Sequence, residues 1–315
     1  MKNYTMIPTR DGYGKALLKL AAENDKIMVL DADVAKSTRT NWIKDKFPQN
    51  FLDMGISEQD MVGTAAGLAL GGMIPFATTY CVFLAGRAWD QIRTTVCYNK
   101  LNVKLAGAHA GISVGPDGAT HQSLEDVALM RVLPNMRVIV PCDSIETEKA
   151  TLAMAAVNGP CFIRFGREAV PVITDESTPF EIGKANVLRE GSDAVVIANG
   201  AMVCEALEAA DVLAAEGIEV AVVNMHTVKP LDGACIEKMV ASCGAVVTAE
   251  EHQITGGLGG AVAEYMALHC PAPMEQVAVK DTFGESGKPD ELMEKYGLTD
   301  ADIVKAVRKV LTRKK

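Results

Sequence analysis

Residues 53 to 63, DMGISEQDMVG, place Glu58 just ahead of a run with no Asp, Glu, Lys or Arg from Met61 through Gly86. A carboxylate at the mouth of so dry a stretch suits proton exchange with a bound heterocycle. Gly and Ala follow it rather than Lys or Arg. A buried Glu58 is therefore expected to lack a cationic partner, and desolvation to raise its proton affinity. Ser57 is the expected N-cap of the helix that Glu58 opens, where the helix dipole alone also favours an acid. A second group, HAGISVGPDGATHQ at 109–122, carries three glycines, a proline, two histidines and one charge, Asp117. On a loop after a strand, His109, Asp117 and His121 can bond hydroxyls and move protons. No third ligand at a sensible spacing supports a metal reading. Arg10 in PTRDGYG and Arg167 in RFGREAVP are candidate anion forks, Arg167 because it stands beside Gly166 at a strand end.

Positioning these groups requires a sheet. Apolar strand-length runs at 27–31, 51–55, 74–79, 103–109, 137–141 and 161–165 alternate with helical patterns at 11–24, 58–71, 86–99, 122–131 and 144–157. That alternation predicts a parallel, doubly wound α/β sheet with ligands at the carboxyl ends of its strands. The polar stretch PVITDESTPFEIG at 171–183 reads as a connection, after which AVVIAN, EVAVVNM, AVVTAE and QVAVK alternate with helices at 201–216, 231–242, 258–268 and 299–312. The expected organisation is a first domain over 1–172, a linker over 173–184 and a smaller α/β domain over 185–315, as the length of 315 residues also favours.

A net charge of −9 and a pI near 5.2 argue against a nucleic-acid or anionic-membrane surface. Any anionic ligand must then be held by a few local cations. Eight cysteines without a C-x-x-C pair read as small buried hydrophobes in a reducing compartment. The amino-terminal residues lack signal-peptide order, so a cytoplasmic location is expected. The uncharged run from 61 to 86 is broken by glycines, threonines and a proline, which favours a helix of small residues buried at a subunit interface over a membrane span. GGLGG at 256–260 lacks the third glycine of a dinucleotide fingerprint and reads as a helix-entry turn. His226, His252 and His269 carry no motif and read as structural.

The ordered segments ADVAKS (32–37), GISEQDM (55–61), TTYCVFLAGRAWDQIR (78–93), HAGISVGPDGATHQSLEDVALMRVLPNM (109–136), RFGREAVP (164–171) and TVKPLD (227–232) resemble the carboxyl-terminal half of transketolases. The resemblance implies a thiamine diphosphate pyrimidine-binding domain followed by the transketolase C-terminal domain. It implies that Glu58 bonds N1′ of the aminopyrimidine, that Tyr80 and Phe83 pack around that ring, and that Asp33 lies near the cofactor. It implies that His121 and Asp117 contact donor hydroxyls, and that Arg10, Ser37, His109 and Arg167 anchor the sugar phosphate. The family's GDG motif, which grips the diphosphate and its Mg or Ca ion, is missing. No metal ligand is therefore assigned here, and the resemblance implies a partner chain carrying that motif, with two of each subunit in the assembly. Ala85 and Gly86 stand where the family often has a third aromatic, and Ala110 where it often has Asp.

The implied activity is ketol transfer from xylulose 5-phosphate to ribose 5-phosphate, giving sedoheptulose 7-phosphate and glyceraldehyde 3-phosphate, a pentose phosphate pathway reaction. The nearest alternatives are a deoxyxylulose-phosphate-synthase-like enzyme and a 2-oxoacid dehydrogenase beta subunit. A non-catalytic α/β regulatory subunit is the reading from a different class.

Overall fold

The computed structural model describes residues 4–314. Its first half runs β1 (Met6–Pro8), α1 (Thr9–Glu23), β2 (Ile27–Asp31), α2 (Ala35–Thr38), α3 (Asn41–Lys46), β3 (Phe51–Asp53), α4 (Glu58–Leu70), β4 (Ile74–Tyr80), α5 (Cys81–Arg87), β5 (Lys104–Ala108), α6 (Asp126–Arg131), β6 (Arg137–Ile139), α7 (Ser144–Ala156), β7 (Cys161–Arg164) and β8 (Ala169–Pro171). Strands β6, β7, β5, β4, β2 and β3 lie side by side in that order, all parallel. Each is short and apolar, and β5 is buried along its whole length, as a sheet covered by helices on both faces requires. From β2 the chain steps outward to β3; from β4 it steps the other way to β5. The connections therefore diverge between β2 and β4, and at such a switch point the strand carboxyl ends open a crevice.

The second half runs β9 (Asn186–Arg189), β10 (Ala194–Ala198), α8 (Met202–Ala214), β11 (Val220–Asn224), β12 (Thr227–Lys229), α9 (Gly233–Cys243), β13 (Val246–Gln253), α10 (Leu258–His269), β14 (Met274–Val279), α11 (Pro289–Lys295) and α12 (Asp300–Leu311). Its sheet has the order β14, β13, β10, β11, β9, with β9 antiparallel at the edge. The α/β architecture with two sheet-centred units thus agrees with the reading of the sequence.

Besides the antiparallel pair β1–β8 and the edge strand β9, two further features were not in that reading. The short β12 leaves its own sheet and pairs antiparallel with β6, placing Thr227 opposite Ile139 and lacing the two halves together. The connection is also pinned. Asp143, which caps α7 by accepting from Glu146 N, accepts in addition from Ile173 N at 2.8 Å, Thr174 N at 2.7 Å and Thr174 Oγ1 at 2.8 Å. One apolar cluster runs without a break from Leu30 and Met61 through Phe162 to Val195 and Val246.

Some local expectations are corrected. The helix expected at 86–99 is divided between α5 and a π-helical turn at Gln91–Cys97, and the helix expected at 122–131 begins only at Asp126. Ser57 stands at the N-cap of α4, but its hydroxyl donates backwards to Met54 O at 2.6 Å. GGLGG is a helix-entry turn: Glu250 accepts from Leu258 N and Gly259 N, each at 2.7 Å, compensating the amino end of α10. Among the described residues no helix is long and apolar enough to cross a membrane. On α4 a Cβ added at Gly63 or Gly67 would meet nothing within 4 Å, so this face is uncovered in the single chain.

Candidate functional site

The crevice gathers side chains from the ends of β2, β3, β4, β5 and β7, with Arg10 from the start of α1. Glu58 opens α4 just after β3 and is 4% exposed. The expectation that it lacks a cationic partner is wrong: Arg87 Nη1 donates to its Oε1 at 3.1 Å and its Oε2 at 3.3 Å. Arg87 closes the same uncharged run that Glu58 precedes, and the turn from β4 into α5 returns it to the start of α4. Its guanidinium also lies 4.0 Å from the centre of the Phe83 ring, and its backbone carbonyl accepts from Gln59 Nε2. Arg87 is therefore the site residue that sequence reasoning missed. The available signal was that it is the first cation after the dry stretch.

Phe83 connects this pair to a ring cluster. His121 stands edge-on to Phe83 at 5.1 Å and to Tyr80 at 6.0 Å, while Tyr80 stacks on His109 at 4.5 Å. Tyr80 Oη donates to Ser37 Oγ at 3.1 Å. Arg10 Nη1 donates to Ser37 O at 3.0 Å and lies 3.3 Å from His109 Nε2. Arg10 Nε and His109 Nδ1 are buried without a partner, which leaves polar capacity for a ligand at this point. Arg167 donates to Val114 O at 2.9 Å and to Asp117 Oδ1 at 3.2 Å, so it braces the histidine loop as well as adding charge. Burial first, then the Arg39 charge, pushes Arg10 below its ordinary value, with Arg167 adding to the effect. Arg10, Ser37, Tyr80, Phe83, His109, Asp117, His121 and Arg167 thus form one constellation. Asp33 stands across the crevice with Ser37 and Tyr80.

Two backbone positions show how this is built. Asp33 after β2 has φ 62° and His109 after β5 has φ 54°, a left-handed conformation costing a non-glycine residue about 1–3 kcal/mol. Asp31, fully buried at the end of β2, shapes the loop carrying Asp33 and Ser37 by accepting from Val34 N at 2.6 Å, Thr40 Oγ1 at 2.7 Å and Thr38 Oγ1 at 2.9 Å. His226, His252 and His269 lie outside the constellation. His226 stacks on Phe180, His269 stacks on Tyr265, and His252 accepts from Ala128 N at 3.4 Å.

His109 is held neutral. Burial first, then the charges of Arg10 and Arg167, push it down to about 3 from 6.5. The unfolded chain binds this proton more tightly than the folded one, so the contribution of His109 to stability is complete above pH 6.5 and declines as pH falls toward 3. Two outcomes are expected: the His109 ring keeps neutral-form nitrogen shifts at pH 5 in an NMR titration, and the stability gap between wild type and His109→Asn moves against wild type on acidification from pH 7.5 to 5. A His109 ring that titrates near its ordinary value would contradict the buried, cation-flanked geometry.

A doubly wound sheet whose switch point gathers a buried glutamate, aromatic rings and two arginines has the layout of a ligand-binding α/β unit, joined here to a second α/β unit. Comparison with known families agrees: the transketolase pyrimidine binding domain matches residues 5–172 and the transketolase C-terminal domain matches residues 183–303. The chain belongs to the transketolase family. It is 44% identical to a transketolase C-terminal section of Methanocaldococcus jannaschii over 301 residues, 95% of this chain and 94% of that one. It is 43% identical to the 6-deoxy-6-sulfo-D-fructose transketolase subunit SqwH of Clostridium sp. (strain MSTE9) over 305 residues, 97% of this chain and 95% of that one. A structure described as a split gene transketolase, inactive beta4 tetramer, superposes with a TM-score of 0.93 at 51% identity, covering 98% of this chain and all of that one.

Proposed function

We propose that this chain is one subunit of a split transketolase that uses thiamine diphosphate to move a two-carbon ketol unit between sugar phosphates. The donor set fits the pyrimidine end of that cofactor: a buried carboxylate at Glu58 and an aromatic face at Phe83 lie within one crevice. When bound, the cofactor supplies the carbon nucleophile that attacks a ketose carbonyl. Glu58 holds or releases the proton at the ring nitrogen through its carboxylate oxygens, and Tyr80 and Phe83 keep water from the ring. His121 and Asp117 orient the donor hydroxyls. Arg10, Ser37, neutral His109 and Arg167 receive the terminal anion.

That anion corner is the observation carrying the reading: two guanidiniums flank a neutral imidazole in a protein of net charge −9. A 2-oxoacid substrate has no distal phosphate to occupy it. The diphosphate and its Mg or Ca ion are assigned to a partner chain carrying the GDG motif. Relatives of the same length named as a section, a subunit or a split gene product support the need for that partner. The uncovered glycine face of α4 supports pairing of two copies in the assembly.

The test is co-expression with a GDG-bearing chain and assay with xylulose 5-phosphate plus ribose 5-phosphate. Cofactor-dependent formation of a seven-carbon sugar phosphate is expected. Because one relative is named for a sulfonated fructose, 6-deoxy-6-sulfo-D-fructose is the second donor to assay; turnover of it alone would move the substrate from phosphate to sulfonate without moving the site. Turnover of neither donor by a stable, cofactor-loaded complex would reject the ketol-transfer reading.

A further inference from the structure

Loop 109–122 is held by more than its own bonds. Gly111, Gly115 and Gly118 have φ of 91°, 75° and 75°; the 3₁₀ segment Ile112–Asp117 is kinked at Gly115, and Gly118 N, His121 N and Gln122 N turn back onto Gly115 and Gly118. It ends in two defined ring positions, His109 and His121. Within its own half Arg167 braces Val114 O and Asp117; the other half of the chain adds to this at two points.

At the first, Glu251 on β13 is buried, and its Oε1 accepts from Ser113 N at 2.6 Å. The fit is close enough that a Cβ on Gly111 would stand 2.2 Å from that oxygen. The Glu251 carbonyl accepts from Arg164 Nη2 at 2.7 Å, and Arg164 Nε pairs with buried Asp126 at 2.9 Å, which ties the contact to the end of β7.

At the second, Gln122, buried beside His121, donates through Nε2 to Ile112 O at 3.1 Å inside the loop and to Glu285 O at 2.9 Å in the segment between β14 and α11. Its Oε1 lies under Gly284, where a Cβ would come within 1.9 Å. Ser286 Oγ and Pro289 close over Gly118 and Gly115 in the same way. The partners are 138 residues apart at Glu251 and 163 at Glu285, so each contact forms only when the two units are docked.

We propose that the carboxyl-terminal unit is a clamp that positions the histidine loop, with Glu251 and Gln122 as its positioning residues. The function of the clamp rests on the reading of 109–122 as the loop that binds the sugar donor. Its physical content, that segment 281–289 sets the ring positions of His109 and His121, is independent of that reading. A displacement of about 1 Å in groups that orient a substrate costs up to about a hundredfold in rate, so a remote clamp of this kind has kinetic weight.

The probe is Gly284→Ala. Its φ is not in the left-handed region, so alanine is tolerated by the backbone, and the nearest atoms it strikes belong to Gln122 and Ile112. In the isolated chain labelled with ¹⁵N-histidine, the ring signals of His121 and His109 are expected to move, while that of His269, stacked on Tyr265 of α10, stays in place. In the complex with its partner chain, kcat/KM for xylulose 5-phosphate is expected to fall about 10- to 100-fold, mostly through KM, with the affinity for thiamine diphosphate unchanged. Glu251→Ala is expected to reproduce that pattern, and Glu251→Gln, which keeps an acceptor for Ser113 N, to restore kcat/KM to within about threefold of wild type. Should Glu251→Ala unfold, Gln122→Met removes the amide donors at similar volume and gives the same readouts. Unmoved His121 and His109 signals in Gly284→Ala would overturn the clamp, as would equal losses in Glu251→Ala and Glu251→Gln. Moved signals in Gly284→Ala, together with a wild-type complex that transfers no ketol unit, would keep the clamp and reject the transketolase reading instead.

Discussion

Glu58→Gln is expected to lower ketol transfer by the assembled enzyme about 10²- to 10⁴-fold while leaving the chain folded. The amide matches the carboxylate in shape and can still accept from Arg87, but it cannot take up and return a proton. Loss of the ion pair has a modest structural cost, because the Arg87 side chain is 49% exposed and water can solvate it. Activity and melting temperature should therefore separate, with kcat collapsing while the unfolding transition moves by only a few degrees. Undiminished turnover in Glu58→Gln would remove the proton relay and favour the non-catalytic, regulatory reading of the chain.

Arg10→Ala is expected to raise KM for a phosphorylated ketose about 10- to 100-fold with little change in kcat. One charge-assisted hydrogen bond contributes about 1.5–3 kcal/mol, and about 1.4 kcal/mol corresponds to tenfold in affinity. Arg10 has a buried, unpartnered Nε, and its Nη1 also braces Ser37 O and His109 Nε2, so its removal opens two further contacts. A phosphate is held equally in ground and transition states, which is why the loss belongs in KM. The control is a ketose without the phosphate: wild type and variant should turn it over alike. Equal losses for both sugars would show that Arg10 supports the fold of the crevice and does not read the anion.

Much of the sheet was legible because strands buried on both faces must be continuous apolar runs, and IMVLD, IPFATT and CFIRF are such runs. Strand β12 was not. Thr227–Lys229 is only three residues long and pairs with an edge belonging to the other half, so no local period marks it. The π-helical turn at Gln91–Cys97 was likewise hidden, since its apolar spacing is close enough to that of an α-helix to be read as one. Among site residues, Glu58, His109 and His121 stood out by chemical type in otherwise uncharged or glycine-rich surroundings. Arg87 and Gln122 did not, because each is ordinary in its own segment and acts only through a partner brought to it by folding.

The sequence by itself determined the periodicity, the strand ends at which ionisable groups fall and the net acidity of the chain, because these are properties of residue order and type. Only the tertiary structure decided which charges meet. It gave Glu58 the partner that local sequence denied it, held His109 neutral between two guanidiniums, and set Glu251 and Gln122 against a loop more than a hundred residues away in the chain. The physical reason is that electrostatic and hydrogen-bonding energies depend on distance and solvation, and a buried pair acquires both only when the chain closes around it.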